Sequence, residues 1–446
     1  MSASESWRAA SEALARRLRA VESRNVTFVS GDFPVFWERA EGARVVDADG
    51  REYVDLTAAF AVAATGHRHP AVVRAVREQA GRLIHGMGDV HPPAVKVELL
   101  EALAGLLPYE EPKIVLGVTG SDAVEAALKT AALATGKPGV VAFTGAYHGL
   151  GYGALSVTDR DHFRLPFEAQ LNPAVPRAPY PHPFRPPQGL EDASRPGPAL
   201  AALERVLDAP GRGDVGAVIL EPAQGRGGEV VPPPGFVAGV RDVCRERGLL
   251  LIADEIYTGL GRTGRWLACD AEAVVPDLLC LGKALSGGMP ISACAGPADV
   301  MDAWPASTGE AIHTSTFLGH PLSCAAALAS LGVLEEEGLV RRARELGERW
   351  MASLRGMAAA HEVVGEVRGR GLMVGIDLVR DPETREPAPE LARRVVTGAL
   401  REGWILLAGG PAGNVLSLTP PLTIEEDLLE RSVGILDGLL AGAREA

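Results

Sequence analysis

Two short apolar runs constrain this chain more than any other feature: LLLIADEIYTG, starting at Leu249, and LLCLGKALSGG, starting at Leu278. Unbroken apolar segments of this length, closed by charge and glycine, read as strands covered on both faces, and hence as members of a parallel sheet between helices. The first run ends in Asp254 and Glu255, the second in Lys283 and a turn of small residues. Ligands in open α/β sheets collect outside the carboxyl ends of the strands, so Asp254 and Lys283 share a candidate site. Two chemistries suit the pair. One is an ion pair closing the sheet; the other is a pyridoxal phosphate site, with the lysine holding the cofactor as an imine and the acid pairing with its ring nitrogen.

Around these runs the chain alternates helical and strand patterns from Ala71 to about Ala329, including apolar segments at Val140–Phe143 and Val215–Leu220. A length of 446 residues accommodates such a domain and a second one. We divide the chain into residues 1–70, a helix and hairpin belonging to a small domain; residues 71–330, a large domain; and residues 331–446, the rest of the small α+β domain. Residues Glu5 to about Val21 carry apolar positions at helical spacing, and GARVVDADGREYVDL reads as a hairpin around Asp49-Gly50, followed by a helix from about Ala71. Helical patterning over Glu335 to Ala360 precedes strand signals at Leu372–Leu378 and Trp404–Leu407. The proline-dense segment Asn172–Pro198 excludes regular helix and interior strand, leaving an ordered surface excursion or a mobile loop near the site entrance.

Forty-four basic against 57 acidic residues, a net charge of −13, argue against nucleic acid as a partner. Five cysteines without a C-x-x-C pair fit a reduced cytoplasm and supply no zinc or disulfide framework. His67 and His69 lack a third ligand at recognisable spacing, so no metal is expected. No run spans a membrane and no secretory core opens the chain, so a soluble, cytoplasmic protein is expected.

DEIYTGLGRTG, from Asp254 to Gly264, and GKALSGGMP, from Gly282 to Pro290, resemble the two signatures of the class III (omega-type) pyridoxal-phosphate aminotransferases, most closely 4-aminobutyrate aminotransferase. The likeness runs from about Pro34 to Ile424. It implies a fold type I α/β architecture: a large domain on a mostly parallel seven-stranded sheet, and a small domain built from both termini. It also implies pyridoxal 5'-phosphate as cofactor, with Lys283 as its tether and general base and Asp254 keeping the ring protonated. Gly120, Ser121 and Asp122 open a helical run where backbone N–H groups and the helix's positive end suit a phosphate, though an ordinary cap reads the same way. FTGAYHG matches the stacking motif, making Tyr147 the ring-stacking residue and His148 its support; Ile256 would cover the other face. Glu221, in LEPAQG, takes a supporting place beside the cofactor. Thr316, in HTSTFLGHPL, corresponds to a hydroxyl that reaches the phosphate of a neighbouring subunit, which implies a homodimer with shared sites.

The resemblance fails at the substrate end. Leu150 and Ser417 stand where the family places arginines that bind substrate carboxylates, and neither can replace a bidentate charge-assisted contact. Arg226 replaces the glutamate that pairs with the second arginine; it would bind an anionic group from the opposite wall or make a surface ion pair. Loss of the acid together with its partner avoids an unpaired acid in the pocket. Tyr257 replaces a glutamine that touches the cofactor's phenolic oxygen, and Phe60 lies near the entrance. The expected function is a ping-pong aminotransferase acting on an amine or amino acid and a carbonyl acceptor, with 4-aminobutyrate and ornithine as poor substrates. The alternative is a non-transaminating enzyme on the same fold: a racemase or epimerase, a lyase or a C–C bond-forming enzyme.

Overall fold

A computed structural model describes residues 8–31, 33–173, 175–190 and 192–442. Its strands, in chain order, are β1 (Trp37–Glu41), β2 (Arg44–Asp47), β3 (Glu52–Asp55), β4 (Pro112–Gly117), β5 (Gly139–Phe143), β6 (Arg177–Ala178), β7 (Val215–Leu220) and β8 (Leu250–Asp254). There follow β9 (Leu278–Leu281), β10 (Ser292–Pro297), β11 (Val364–Arg370), β12 (Met373–Asp381), β13 (Glu386–Pro387), β14 (Trp404–Ile405), β15 (Leu407–Gly409) and β16 (Val415–Leu418).

Seven of these form one sheet in the order β4-β10-β9-β8-β7-β5-β6. Every residue of β5, β7 and β9 is buried, as expected of strands whose two faces both meet helices. Pairing is parallel from β9 through β6, whereas β10 returns antiparallel between β9 and β4. Register sets the chemistry: Asp254 lies level with Cys280, so Lys283 follows one short turn beyond it on the adjacent strand. The helix Gly120–Thr135 packs across β9 and β10, and its amino terminus reaches the same sheet end.

The hairpin β2–β3 turns at Asp49-Gly50, and β14 pairs parallel with β3, so chain from both ends joins one four-stranded sheet. A second carboxy-terminal sheet runs β11-β12-β16-β15, with β13 on β12. The first helix covers Ala9–Val21; Glu5 and Trp7 lie outside the described residues. The helical pattern read over Glu335 to Ala360 belongs to two helices, Pro321–Glu336 and Leu339–Ala358, because Gly338 at φ 62° breaks the chain between them. The proline-dense segment is an ordered excursion: Ala178 pairs with Phe143 at the sheet edge, and Tyr180 is buried with its hydroxyl donating to the Glu221 carbonyl, 3.0 Å. Its last prolines begin the helix Pro196–Asp208, where a missing N–H costs nothing. None of the excursion's described residues lines the cavity at the sheet end.

One turn departs from ordinary backbone. Ala58, Ala59, Phe60 and Ala61 all carry positive φ, from 45° to 65°, a left-handed turn without glycine. Asp55 holds it, accepting from the Thr57 N–H (2.8 Å) and hydroxyl (2.6 Å) and from the Ala59 N–H (3.1 Å), and it also meets His67 Nε2 at 2.8 Å. The turn packs against the 3₁₀ turn that starts at Lys283.

Candidate active site

Strand ends, the helix amino terminus and two loops enclose a cavity of about 460 Å³. At its floor Asp254 is buried, and His148 Nδ1 lies 2.7 Å from its Oδ2. His148 Nε2 is buried with no partner among the described residues. A proton on Nδ1 therefore satisfies the ring best, donating to Asp254. The other oxygen, Oδ1, accepts from the Ile256 N–H at 3.1 Å.

Thr119 caps the helix Gly120–Thr135 in a capping box with Asp122. The Asp122 carboxylate turns back to accept from the Val118 and Thr119 N–H groups at 2.9 and 2.8 Å, and does not line the cavity; its part is to shape the loop. The helix itself offers no acceptor to the N–H groups of Gly120 and Ser121 in its first turn, and both residues line the cavity. Ser121 Oγ accepts from the Leu150 N–H at 3.1 Å, which leaves its own proton to donate.

Lys283 lines the cavity with its Nζ 4.8 Å from the centroid of the Tyr257 ring. Its backbone sits at φ 30°, a left-handed conformation costly for a side-chain-bearing residue. Burial lowers the basicity of its amine, outweighing the opposing pull of Asp254 and Glu221. Glu221, buried at the end of β7, accepts from the Tyr147 N–H (2.9 Å) and the Gly225 N–H (3.0 Å). It thereby fixes the aromatic wall and the turn beneath Tyr257, and burial pushes its carboxyl up to about 7. Position 225 must be glycine, since a Cβ there would stand 2.6 Å from the Tyr257 ring.

A second acid, missed in the sequence, completes this wall. Glu229 is buried, with Oε1 accepting from the Tyr257 hydroxyl at 2.9 Å and from the Ser417 hydroxyl. Its Oε2 has no partner among the described residues, and burial pushes the carboxyl up to about 7. The expectation that the pocket loses its acid together with the arginine at position 417 is therefore corrected: an acid does stand beside Ser417, supplied three residues further along the same loop. The only signal was a lone glutamate in an otherwise glycine and apolar stretch, GGEVV. Arg368 of β11 donates to the Gly228 carbonyl from Nε at 2.9 Å and from Nη2 at 2.6 Å, tying this loop to the carboxy-terminal sheet.

At the mouth, Leu150 is half exposed and Arg226 is exposed, its guanidinium 5.1 Å from the Tyr147 centroid and 5.5 Å from that of Phe163. No acid among the described residues pairs with Arg226. The residues brought together around the cavity are thus Gly120, Ser121, Tyr147, His148, Leu150, Glu221, Arg226, Asp254, Ile256, Tyr257 and Lys283. Ser417 lies behind Tyr257, Phe60 is exposed on the left-handed turn while Val62 lines the wall, and Thr316 is exposed away from its own chain's cavity. Among the described residues no cluster of histidine, cysteine, aspartate or glutamate could hold a metal ion.

This donor set fits pyridoxal phosphate: an anion cradle at a helix amino terminus, a buried carboxylate, an aromatic wall facing Ile256, and an amine at the next strand end. Comparison with known proteins agrees. The family described as aminotransferase class-III matches residues 27–440. The 5-aminovalerate aminotransferase DavT of Pseudomonas aeruginosa is 42% identical over 432 residues, 95% of this chain and 97% of that protein. A leucine/methionine racemase of Thermococcus litoralis is 38% identical over 413 residues, 92% of each. An amine transaminase from an uncultivated Pseudomonas species, solved in its pyridoxal-phosphate-bound form, superposes with a TM-score of 0.85 at 32% identity, covering 95% of this chain and 98% of that one. The chain belongs to the class III aminotransferases, the pyridoxal-phosphate-dependent family that its two strand-end motifs resemble.

Proposed function

We propose that the protein exchanges an amino group between an amine or amino acid and a carbonyl acceptor in two half-reactions, and that 4-aminobutyrate and ornithine are poor donors. The observation carrying the first part is the geometry of Asp254, His148 and Lys283 at neighbouring strand ends. Pyridoxal phosphate, when bound, supplies an electron-accepting ring that lets the carbon beside an amine lose its proton. The chain's part is to hold and to move protons. Asp254, backed by His148, would face the ring nitrogen; Gly120 and Ser121 would hold the phosphate; Tyr147 and Ile256 would confine the ring. Lys283 would tether the group and, once freed by the incoming amine, take up the substrate proton, a task suited to an amine whose basicity burial has lowered.

The second part rests on the mouth. Leu150 offers an apolar side chain, and the Ser417 hydroxyl is committed to Glu229, so neither position can grip a carboxylate. Mixing enzyme with a donor but no acceptor tests the reaction type: one carbonyl product per site, with loss of the cofactor's visible absorbance, is the expected result. Loss of a substrate's optical activity without that change would support racemisation. The Thermococcus relative and the acid–hydroxyl pair of Glu229 and Tyr257 beside Lys283 favour racemisation as the second reading.

A homodimer belongs to the same proposal. Ile84, Met87, Val90, Ile312 and Phe317 are exposed apolar residues on two segments joined by the His85–Phe317 ring contact and by a 2.8 Å bond from Thr314 to Asp89. Thr316 stands on this patch, where it would reach a second copy's site. The reduced state of five buried cysteines suits the cytoplasm, and among the described residues no helix is long and apolar enough to cross a membrane.

A further inference from the structure

We propose that Arg160 and Arg226 form a carboxylate-binding subsite at the cavity mouth, on the Tyr147 side, which takes the acid group of a substrate at a place distinct from positions 150 and 417. The inference rests on the aminotransferase reading only for the word substrate; the binding itself needs no turnover.

Two guanidiniums rest on one aromatic ring. Arg160 Cζ lies 5.3 Å from the Phe163 centroid and Arg226 Cζ 5.5 Å from it, while Arg226 also covers Tyr147 at 5.1 Å. Phe163 and Tyr147 pack edge to face with centroids 5.5 Å apart, so the platform is fixed. Stacking orients a guanidinium with its N–H edge outward, the geometry that receives a carboxylate with two parallel bonds. Two like charges gathered on one platform repel, and an anion between them removes that cost.

Among the described residues neither Arg160 nor Arg226 pairs with an acid. Asp159 forms an ion pair with Arg177, 2.8 Å away, and accepts from the Gly145 N–H at 2.7 Å, while the exposed Asp161 stands 4.0 Å from Arg164. Glu221 is taken by two backbone N–H groups, Asp254 by His148, and Glu125 by the Gly153 N–H at 2.7 Å. Burial and the neighbouring Arg226 both depress the basicity of Arg160, with only Tyr147 opposing, as befits a cation that lacks an acid. Arg226 lines the cavity, so an acid held there would belong to a molecule whose other end reaches Lys283.

Glutarate, a dicarboxylate without an amine, is the probe, and its binding is read from perturbation of the holoenzyme's visible absorbance. We expect saturable binding that weakens with added salt, and butyramide, of similar reach but uncharged, to bind far less well. R226Q and R160Q should each weaken glutarate about tenfold to a hundredfold, the range of a charge-assisted hydrogen-bonded contact, and R226K should recover part of the loss. Retained cofactor absorbance in each variant shows that the fold survives. Equal glutarate affinity in wild type and both glutamine variants, or no binding to wild type, overturns the proposal. So does a loss of dimer in R226Q or R160Q, which would assign the pair to a subunit contact. Failure of transamination with intact glutarate binding would sink the functional reading and leave this subsite standing.

Discussion

Lys283 works from an uncomfortable position: its backbone is left-handed, its amine is desolvated, and its cation faces an aromatic ring. Of these, it is the desolvation that favours a neutral amine ready to bond, whereas the ring favours the cation. We expect K283A to lower turnover by at least about a thousandfold and to abolish covalent fixation of the cofactor by borohydride, read by mass spectrometry. Glu229 gives a test of a different kind. Burial pushes its carboxyl up to about 7 in the fold from an ordinary value of 4.5, so the folded chain holds the proton more tightly than the unfolded one between those values. Stability is therefore lost as pH rises from about 4.5 through 7, and the full cost is present above that. E229Q keeps an acceptor for Tyr257 and Ser417 while removing the charge. Its unfolding free energy from urea titration should match wild type near pH 4.5 and exceed it at pH 8, by an amount on the order of 2–3 kcal/mol; equal free energies at pH 8 would refute this. Lys283 and Asp254 were legible in the sequence because apolar runs ending in charge announce strand ends. Glu229 was not, because its partners come from residues 257 and 417, and spacing along a chain is silent about contacts across lobes.

Among the elements, the left-handed turn Ala58–Ala61 is the plainest case of structure overriding local preference. Alanine does not announce positive φ, so nothing in LTAAFAV marked it; the turn exists because Asp55 gathers three donors around it and because it packs on the Lys283 turn. A59G should relieve about 1–2 kcal/mol of backbone strain against about 0.5–1 kcal/mol of added chain entropy. The thermal midpoint should rise slightly, and a fall would show that the strain is absent. The helix Gly120–Thr135 makes the opposite point. A cap was readable there, but the sequence offered Ser121 or Asp122 for it, and the fold corrects this: Thr119 is the cap, Asp122 closes the box from the first turn, and Ser121 lines the cavity. D122A should cost about 1 kcal/mol and, by loosening the Val118–Thr119 loop, raise the cofactor's dissociation constant, measured by dialysis and absorbance.

For the whole molecule, a largely parallel sheet was legible in the all-apolar strands and its seven strands were implied by the family resemblance, whereas the antiparallel β10 and the pairing of β14 with β3 required three dimensions. The apolar patch around Met87 and Phe317 leads us to expect a dimer by light scattering. T316A should stay dimeric yet hold the cofactor roughly tenfold less tightly, the loss of one charge-assisted hydrogen bond. Unchanged affinity would remove Thr316 from the shared site. Finally, the grip of Arg368 on the Gly228 carbonyl has an evolutionary reading. The loop that carries Arg226 and Glu229 is moored to a sheet none of whose described residues lines the cavity. On the proposed reading, substitutions in that sheet are expected to shift the loop and change which molecules are accepted, with Asp254 and Lys283 untouched.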